Sequence, residues 1–172
     1  MRDRFGQAAR PLVQPVYTPE ERRRRDSSGW TIVQGILAPA QFLIFFVSLA
    51  LVLRYLATGV GQGAADASIV AKTLALYTIM ITGSIWEKEV FGRWLFAPAF
   101  FWEDAFSMIV IALHSAYLVM LIGGYGSVEA RMFVALAGYA AYVVNAGQFL
   151  VKLRQARRQA PAESSATMAV AT

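Results

Sequence analysis

Apolar residues along the chain gather in four long runs, separated by short polar or glycine-rich links. The runs extend roughly over 30–53, 69–86, 101–123 and 132–153, from Trp30 to Leu53, Ile69 to Trp86, Phe101 to Gly123 and Met132 to Leu153. Each is close to the ~20 residues that a helix rising ~1.5 Å per residue needs to cross ~30 Å of hydrocarbon. Backbone N–H and C=O groups inside lipid must be satisfied within their own segment, so the runs predict α-helices. The expected fold class is all-α, a polytopic membrane protein built as a four-transmembrane-helix bundle. Its parts are a polar basic segment over 1–29, the membrane domain over 30–153 and a basic then disordered tail over 154–172.

The links agree with this division. Thr58-Gly59-Val60-Gly61-Gln62-Gly63 and Gly123-Gly124-Tyr125-Gly126 read as tight turns; neither has the spacing or the preceding strand of a dinucleotide loop. In the first segment Pro11, Pro15 and Pro19 interrupt any early helix, and no apolar core followed by a cleavage site is seen, so the N-terminus is expected to be retained. Thr18-Pro19-Glu20-Glu21 has capping-box spacing and predicts a short, highly charged helix at the membrane surface. From Pro161 onward, Ala, Ser and Thr predict disorder.

Composition strengthens the membrane reading. Of 172 residues 57% are hydrophobic and only 16% charged, whereas a soluble domain carries about a quarter charged; the mean hydropathy is +0.47. The chain has no cysteine and one histidine, His114. Disulfides, iron–sulfur clusters and thiol nucleophiles are thereby excluded, and a multi-histidine metal centre lacks ligands. No metal site in the protein and no redox cofactor are expected. The net charge is +5, but the basic residues flank apolar spans, which suits phospholipid headgroups better than nucleic acid. With four spans, thirteen of the sixteen Lys and Arg fall on the side of the termini and the middle loop, leaving Arg54, Lys72 and Arg131 opposite. The positive-inside rule places both termini and the middle loop in the cytoplasm.

Charged groups beside spans carry the chemical information, because a charge at the bilayer centre costs ~2.5–3.5 kcal/mol even on insertion scales. They concentrate between Trp86 and Asp104, a stretch holding Glu87, Lys88, Glu89, Arg93, Glu103 and Asp104 together with Trp86, Trp94 and Trp102. An acidic, aromatic loop of this kind belongs in the membrane interface and suits a flat hydrophobic ligand. Helical spacing lines up Glu103, Ser107, Val110 and His114; Thr78, Thr82, Ile85 and Glu89; Gln34, Ala38, Gln41 and Phe45; and Gly138, Tyr142, Asn145 and Phe149. Four polar stripes turned inward predict an acid-lined pocket open at the cytoplasmic side. Plainer readings stand beside these. Lys88 and Arg93 equally suit a solvated loop, Glu103 and Asp104 suit a helix N-terminus, and His114, Asn145, Gln34 and Gln41 suit interhelical hydrogen bonds.

The segments Thr18 to Arg25, Trp30-Thr31-Ile32-Val33-Gln34-Gly35-Ile36-Leu37-Ala38-Pro39, Ser84-Ile85-Trp86-Glu87-Lys88-Glu89 and Phe101-Trp102-Glu103-Asp104 resemble the 3-vinyl bacteriochlorophyllide hydratase family of bacteriochlorophyll biosynthesis, over roughly residues 15 to 155. The resemblance implies a hydro-lyase that adds water across the 3-vinyl group of chlorophyllide a or a related bacteriochlorophyllide, giving the 3-(1-hydroxyethyl) product. It also implies a pigment substrate that carries its own magnesium, a bilayer setting and other pigment-biosynthesis enzymes as neighbours. Vinyl hydration on a conjugated ring proceeds by protonation of the terminal carbon and capture of the resulting cation by water, which calls for a general acid, a base and negative potential. A carboxyl beside aromatic rings or another carboxylate tends to keep its proton while its neighbour stays charged. Glu103 is the expected proton donor and Asp104 the water-orienting base or electrostatic stabiliser, with Glu87 and Glu89 in reserve for either role. His114 is a candidate axial ligand for the substrate's magnesium, and Lys88 or Arg93 for its propionate. Trp86, Trp102 and Asn145 complete the expected binding surface. A non-enzymatic carrier or assembly protein that binds tetrapyrrole or quinone would use the same features. A small transporter fits less well, since no inverted repeat is visible.

Overall fold

The computed structural model describes residues 16–170; expectations for residues 1–15 lie outside them. The described residues form α1 (Pro19–Ser27), α2 (Gly29–Thr58), α3 (Gln62–Phe91), α4 (Phe101–Gly123) and α5 (Val128–Val170), with no strand among them. Four of these helices are long and apolar enough to cross a membrane.

α1 forms as its cap predicts. The Thr18 hydroxyl accepts from the Glu21 N–H at 3.2 Å, and the Glu21 carboxylate accepts from the Thr18 N–H at 2.8 Å. These two bonds satisfy donors that the first helical turn leaves open. Ser28 then caps α2 through its bond to the Trp30 N–H. Between α2 and α3 the chain reverses through Gly59 and Gly61, both in the left-handed region (φ 70° and 92°) where a Cβ is disfavoured.

Two spans are longer than the hydropathy pattern suggests. α2 and α3 each have 30 residues, about 45 Å of helix against ~30 Å of hydrocarbon, so their ends project into the interfaces. α3 begins at Gln62 rather than near Ile69, and Lys72, which lies within the expected span, is completely buried between helices. The tally of cations on that side therefore falls to Arg54 and Arg131. The tail also differs, because α5 runs through Pro161 to Val170 where disorder was expected. Its alanines favour helix, against the lost donor and the ring clash that Pro161 brings.

α2 packs chiefly on α3 and α4 on α5, so two antiparallel hairpins come together through α3 with α4 and α2 with α5. The core contains Phe45, Val52, Ile69, Leu76, Val110, Tyr117, Met132 and Tyr139. Outward-facing Ile32, Leu43, Ile81, Val119, Ile122 and Phe133 are exposed in the isolated chain and meet lipid in a bilayer, where exposed apolar side chains are the stable arrangement. At the end carrying α1 and the α3–α4 loop, a second cluster joins Tyr17, Val90, Phe100 and Ala156 with Trp86 and Phe91. The carboxylates singled out in the sequence lie at that end.

Candidate active site

α3 stops at Gly92, whose left-handed backbone (φ 77°) lets its N–H close on the Lys88 carbonyl at 3.0 Å. The following loop, residues 92–100, folds back across the end of the bundle. Phe96 is the only non-glycine residue with positive φ (58°) among the described residues, a conformation that is strained for an aromatic side chain. What holds it there is visible: the Phe96 N–H donates to Asp104 Oδ2 at 2.7 Å, and the next N–H, of Ala97, donates to Glu87 Oε2 at 3.2 Å. The loop thus supplies backbone donors to one carboxyl on α3 and one on α4.

Glu87 and Asp104 are 5% and 3% exposed, and their carboxyls lie near each other beneath the loop. Glu103, one residue earlier on α4, turns the other way to meet α5, where Lys152 Nζ stands 3.3 Å from Glu103 Oε1. Its second oxygen, Oε2, is buried without a partner. One turn deeper, Asn145 Nδ2 of α5 donates to Ser107 Oγ of α4 at 2.8 Å. An open groove of about 290 Å³ runs beside these groups, lined by Glu103, Gly147, Gln148, Val151, Lys152 and Gln155. It is at the small end for a ligand site, wide enough for the edge of a large planar molecule.

Aromatic rings close the other side. Phe100 packs at centroid distances of 5.7 Å to Trp86, 5.8 Å to Phe91, 6.1 Å to Tyr17 and 6.0 Å to Phe149, and Lys152 Nζ lies 5.7 Å above its ring. Chemically, the arrangement offers two carboxyls buried together, an ion-paired carboxylate and a rigid apolar wall at one end of the bundle.

The sequence profile of the 2-vinyl bacteriochlorophyllide hydratase family matches residues 17–155. The chain belongs to this family. The 2-vinyl group of that description is the 3-vinyl group in the newer numbering of the macrocycle. A 2-vinyl bacteriochlorophyllide hydratase of Rhodobacter capsulatus is 63% identical over 158 residues, covering 92% of each chain. One from Cereibacter sphaeroides is 66% identical over 142 residues, covering 83% of this chain and 88% of its own. No solved structure matches.

Of the expected site residues, the structure brings Glu87, Glu103, Asp104 and Asn145 to one end of the bundle. Trp86 joins them as part of the aromatic wall, its Nε1 fixed to Thr31 Oγ1 at 2.9 Å. Glu89 does not join them: it points away, accepts from Ser28 Oγ at 2.8 Å and ties the start of α2 to α3. Trp102 is 68% exposed and faces outward. Lys88 and Arg93 are exposed, Lys88 Nζ donating to the Gly92 carbonyl at 3.1 Å. His114 is 1% exposed and ~16 Å further along α4 than Glu103 by helical rise. Its Nδ1 bonds the Val110 carbonyl at 2.8 Å, and the ring lies so close to α5 that a Cβ on Gly138 would stand 2.9 Å from it. A macrocycle whose vinyl group sits at the acids cannot also place its metal on this imidazole.

The stripes fared unevenly. Glu103, Ser107, Val110 and His114 are all buried, as are Gln41 and Phe45. On α3 the buried face instead holds Ile69, Lys72, Leu76, Glu87 and Val90, while Thr78 is exposed. Lys152 and Gln148 and the N–H groups of Phe96 and Ala97 belong to the site without having been expected there. For the first two the spacing gives a signal, since Asn145, Gln148 and Lys152 share a helical face.

Proposed function

We propose that this chain is a hydratase that adds water across the vinyl group of a bacteriochlorophyllide precursor, converting –CH=CH2 to –CH(OH)–CH3. Family membership at high identity over nearly the whole chain supports the reaction. The observation that carries the mechanism is the burial of the Glu87 and Asp104 carboxyls together, each accepting from a loop N–H, next to the ion-paired Glu103.

The protonated member of the Glu87–Asp104 pair donates its proton to the terminal vinyl carbon, and the π electrons form the new C–H bond. Positive charge then develops on the carbon attached to the ring. The carboxylate left behind stabilises it at short range in a site from which water is largely excluded. Water attacks that carbon and loses a proton to Glu103, which Lys152 holds in place. One proton leaves the acid pair and one arrives on Glu103, so a single transfer through water restores the starting state. These roles reverse the order expected from sequence, where Glu103 was the donor and Asp104 the base. The reason is placement: Glu103 meets Lys152 beside the groove, whereas Glu87 and Asp104 are buried together under the 92–100 loop.

The tetrapyrrole lies with its apolar face against the rings around Phe100, and Arg93 or Lys88 at the interface meets its propionate. Its magnesium arrives with it, and the hydroxyethyl product passes to other pigment-biosynthesis enzymes. The protein sits in the bacterial inner membrane with both termini cytoplasmic, supported by Lys and Arg around α1, the α3–α4 loop and the outer part of α5.

The test is direct. Full-length protein in detergent, given the vinyl pigment anaerobically, yields a more polar pigment heavier by one water. A carrier would bind and return the pigment unchanged, which would overturn the enzymatic reading.

A further inference from the structure

Three buried oxygens near the acid pair lack any hydrogen-bond partner: Glu103 Oε2, Asn145 Oδ1 and Gln148 Oε1. An orphaned buried acceptor costs roughly 1–3 kcal/mol, so three together ask for an occupant. They lie on facing helices within two turns. The Glu103–Lys152 and Asn145–Ser107 contacts set α4 and α5 in register, and Gln148 falls between Asn145 and Lys152. Asn145 is 7% and Glu103 5% exposed, and Glu103 and Gln148 both line the groove.

All three atoms accept. Asn145 Nδ2 donates to Ser107 Oγ, which leaves Oδ1 as the open acceptor of that amide. The occupant must therefore be a donor with two hydrogens and no need of a donor in return, and it must be small. We infer that Asn145 Oδ1 and Gln148 Oε1, with Glu103 Oε2, hold the nucleophilic water of the reaction. This rests on the hydratase reading above and adds the groups that position the water.

Held in this way, the water donates one hydrogen to Glu103 and the other to an amide oxygen, leaving a lone pair free for the carbocation. When that lone pair forms the C–O bond, the hydrogen on Glu103 transfers to the carboxylate. The second hydrogen stays on the product hydroxyl, still donated to the amide. Atoms and charge balance without a further reactant. Because the water is delivered from the α5 side alone, one face of the prochiral vinyl carbon is attacked.

The positioning role separates from proton donation in heavy water. Protonation of the vinyl carbon is reversible when water fails to arrive: the cation has a CH2D group, can lose H, and returns as vinyl pigment labelled at its terminal carbon. Asn145→Leu is expected to lower hydration about 10²-fold, the scale of a misplaced reactant. Deuterium should continue to enter the terminal vinyl carbon of recovered substrate, and the residual alcohol should become a mixture of both configurations. Gln148→Met is expected to show the same pattern with a smaller loss, about tenfold, and carries the test if Asn145→Leu does not fold. Unchanged hydration in Gln148→Met, or exchange and hydration falling in parallel in either folded variant, overturns the assignment. Failure of the hydratase reading looks different, since the unaltered protein would then form no alcohol and wash in no deuterium.

Discussion

Two regions of the bundle bury charge, and they do so differently. Near its middle, Lys72 is wholly buried on α3, donates to Gln41 Oε1 on α2 and stands 3.6 Å over the Tyr142 ring on α5. Close by, Ser48 Oγ bonds Ser68 Oγ at 2.7 Å and Tyr139 Oη at 2.5 Å. These bonds link α2, α3 and α5, and of this cluster only Gln41 Nε2 stays buried without a partner. At the end of the bundle Glu87, Asp104 and Glu103 are nearly as buried, yet Glu103 lines an open groove and, with Asn145 and Gln148, keeps an acceptor without a partner. Buried polarity closed off between helices joins them; unpartnered acceptors beside an opening are prepared for a ligand.

The sharpest way to break this contrast is Asp104→Asn, which removes one acid of the buried pair while keeping shape. Hydration of the vinyl pigment should fall by about 10²–10⁴-fold, the usual worth of a general acid, with helix content by circular dichroism unaltered. A rate within tenfold of the unaltered enzyme removes the pair from proton donation.

Lys152→Met comes next. Losing one partner of a fully buried ion pair costs about 3–5 kcal/mol, and the partial exposure of Lys152 brings this to about 1–2 kcal/mol. A lower thermal midpoint and about tenfold slower turnover are expected. Adding Glu103→Gln should restore the midpoint but not the rate; if the rate returns too, Glu103 is not the base.

Lys72→Met probes the middle. A thioether fills similar space and leaves only Gln41 Oε1 without its donor, a cost of about 1 kcal/mol. Turnover should stay within about twofold, and a tenfold loss would mean that the mid-bundle cluster takes part in catalysis.

The smallest effect is expected at Thr18→Ala. Loss of the capping box should weaken α1 by about 1 kcal/mol, seen as faster amide exchange over Pro19–Ser27 with hydration unaffected.

How much was legible in advance depended on the range of the interaction. The capping box at Thr18 and Glu21 involves neighbours in sequence and formed as read. The inward face of α4 followed from helical spacing, because Glu103 and Asp104 open a helix whose other charged positions are absent. Glu89 shares a helix with Glu87 but was misjudged, since its true partner is Ser28, at the junction of α1 and α2. The offset of the α3 stripe arose in the same way: threonines can satisfy themselves on their own backbone, as Thr78 does on the Leu74 carbonyl at 3.0 Å, and then need no neighbouring helix.

By itself the sequence determined that there are four membrane helices, where their turns fall, which family the chain resembles and which short segment concentrates the acids, because hydropathy, glycine placement and composition act locally. Only the tertiary structure decided which acid is paired with a cation and which two are held under the loop. That outcome depends on the register of α5 against α4, which brings Lys152 to Glu103, and on the reversal of the 92–100 loop, which turns the Phe96 and Ala97 N–H groups onto Asp104 and Glu87. A carboxyl group's protonation is set by what surrounds it in space, and those surroundings come from three separate parts of the chain.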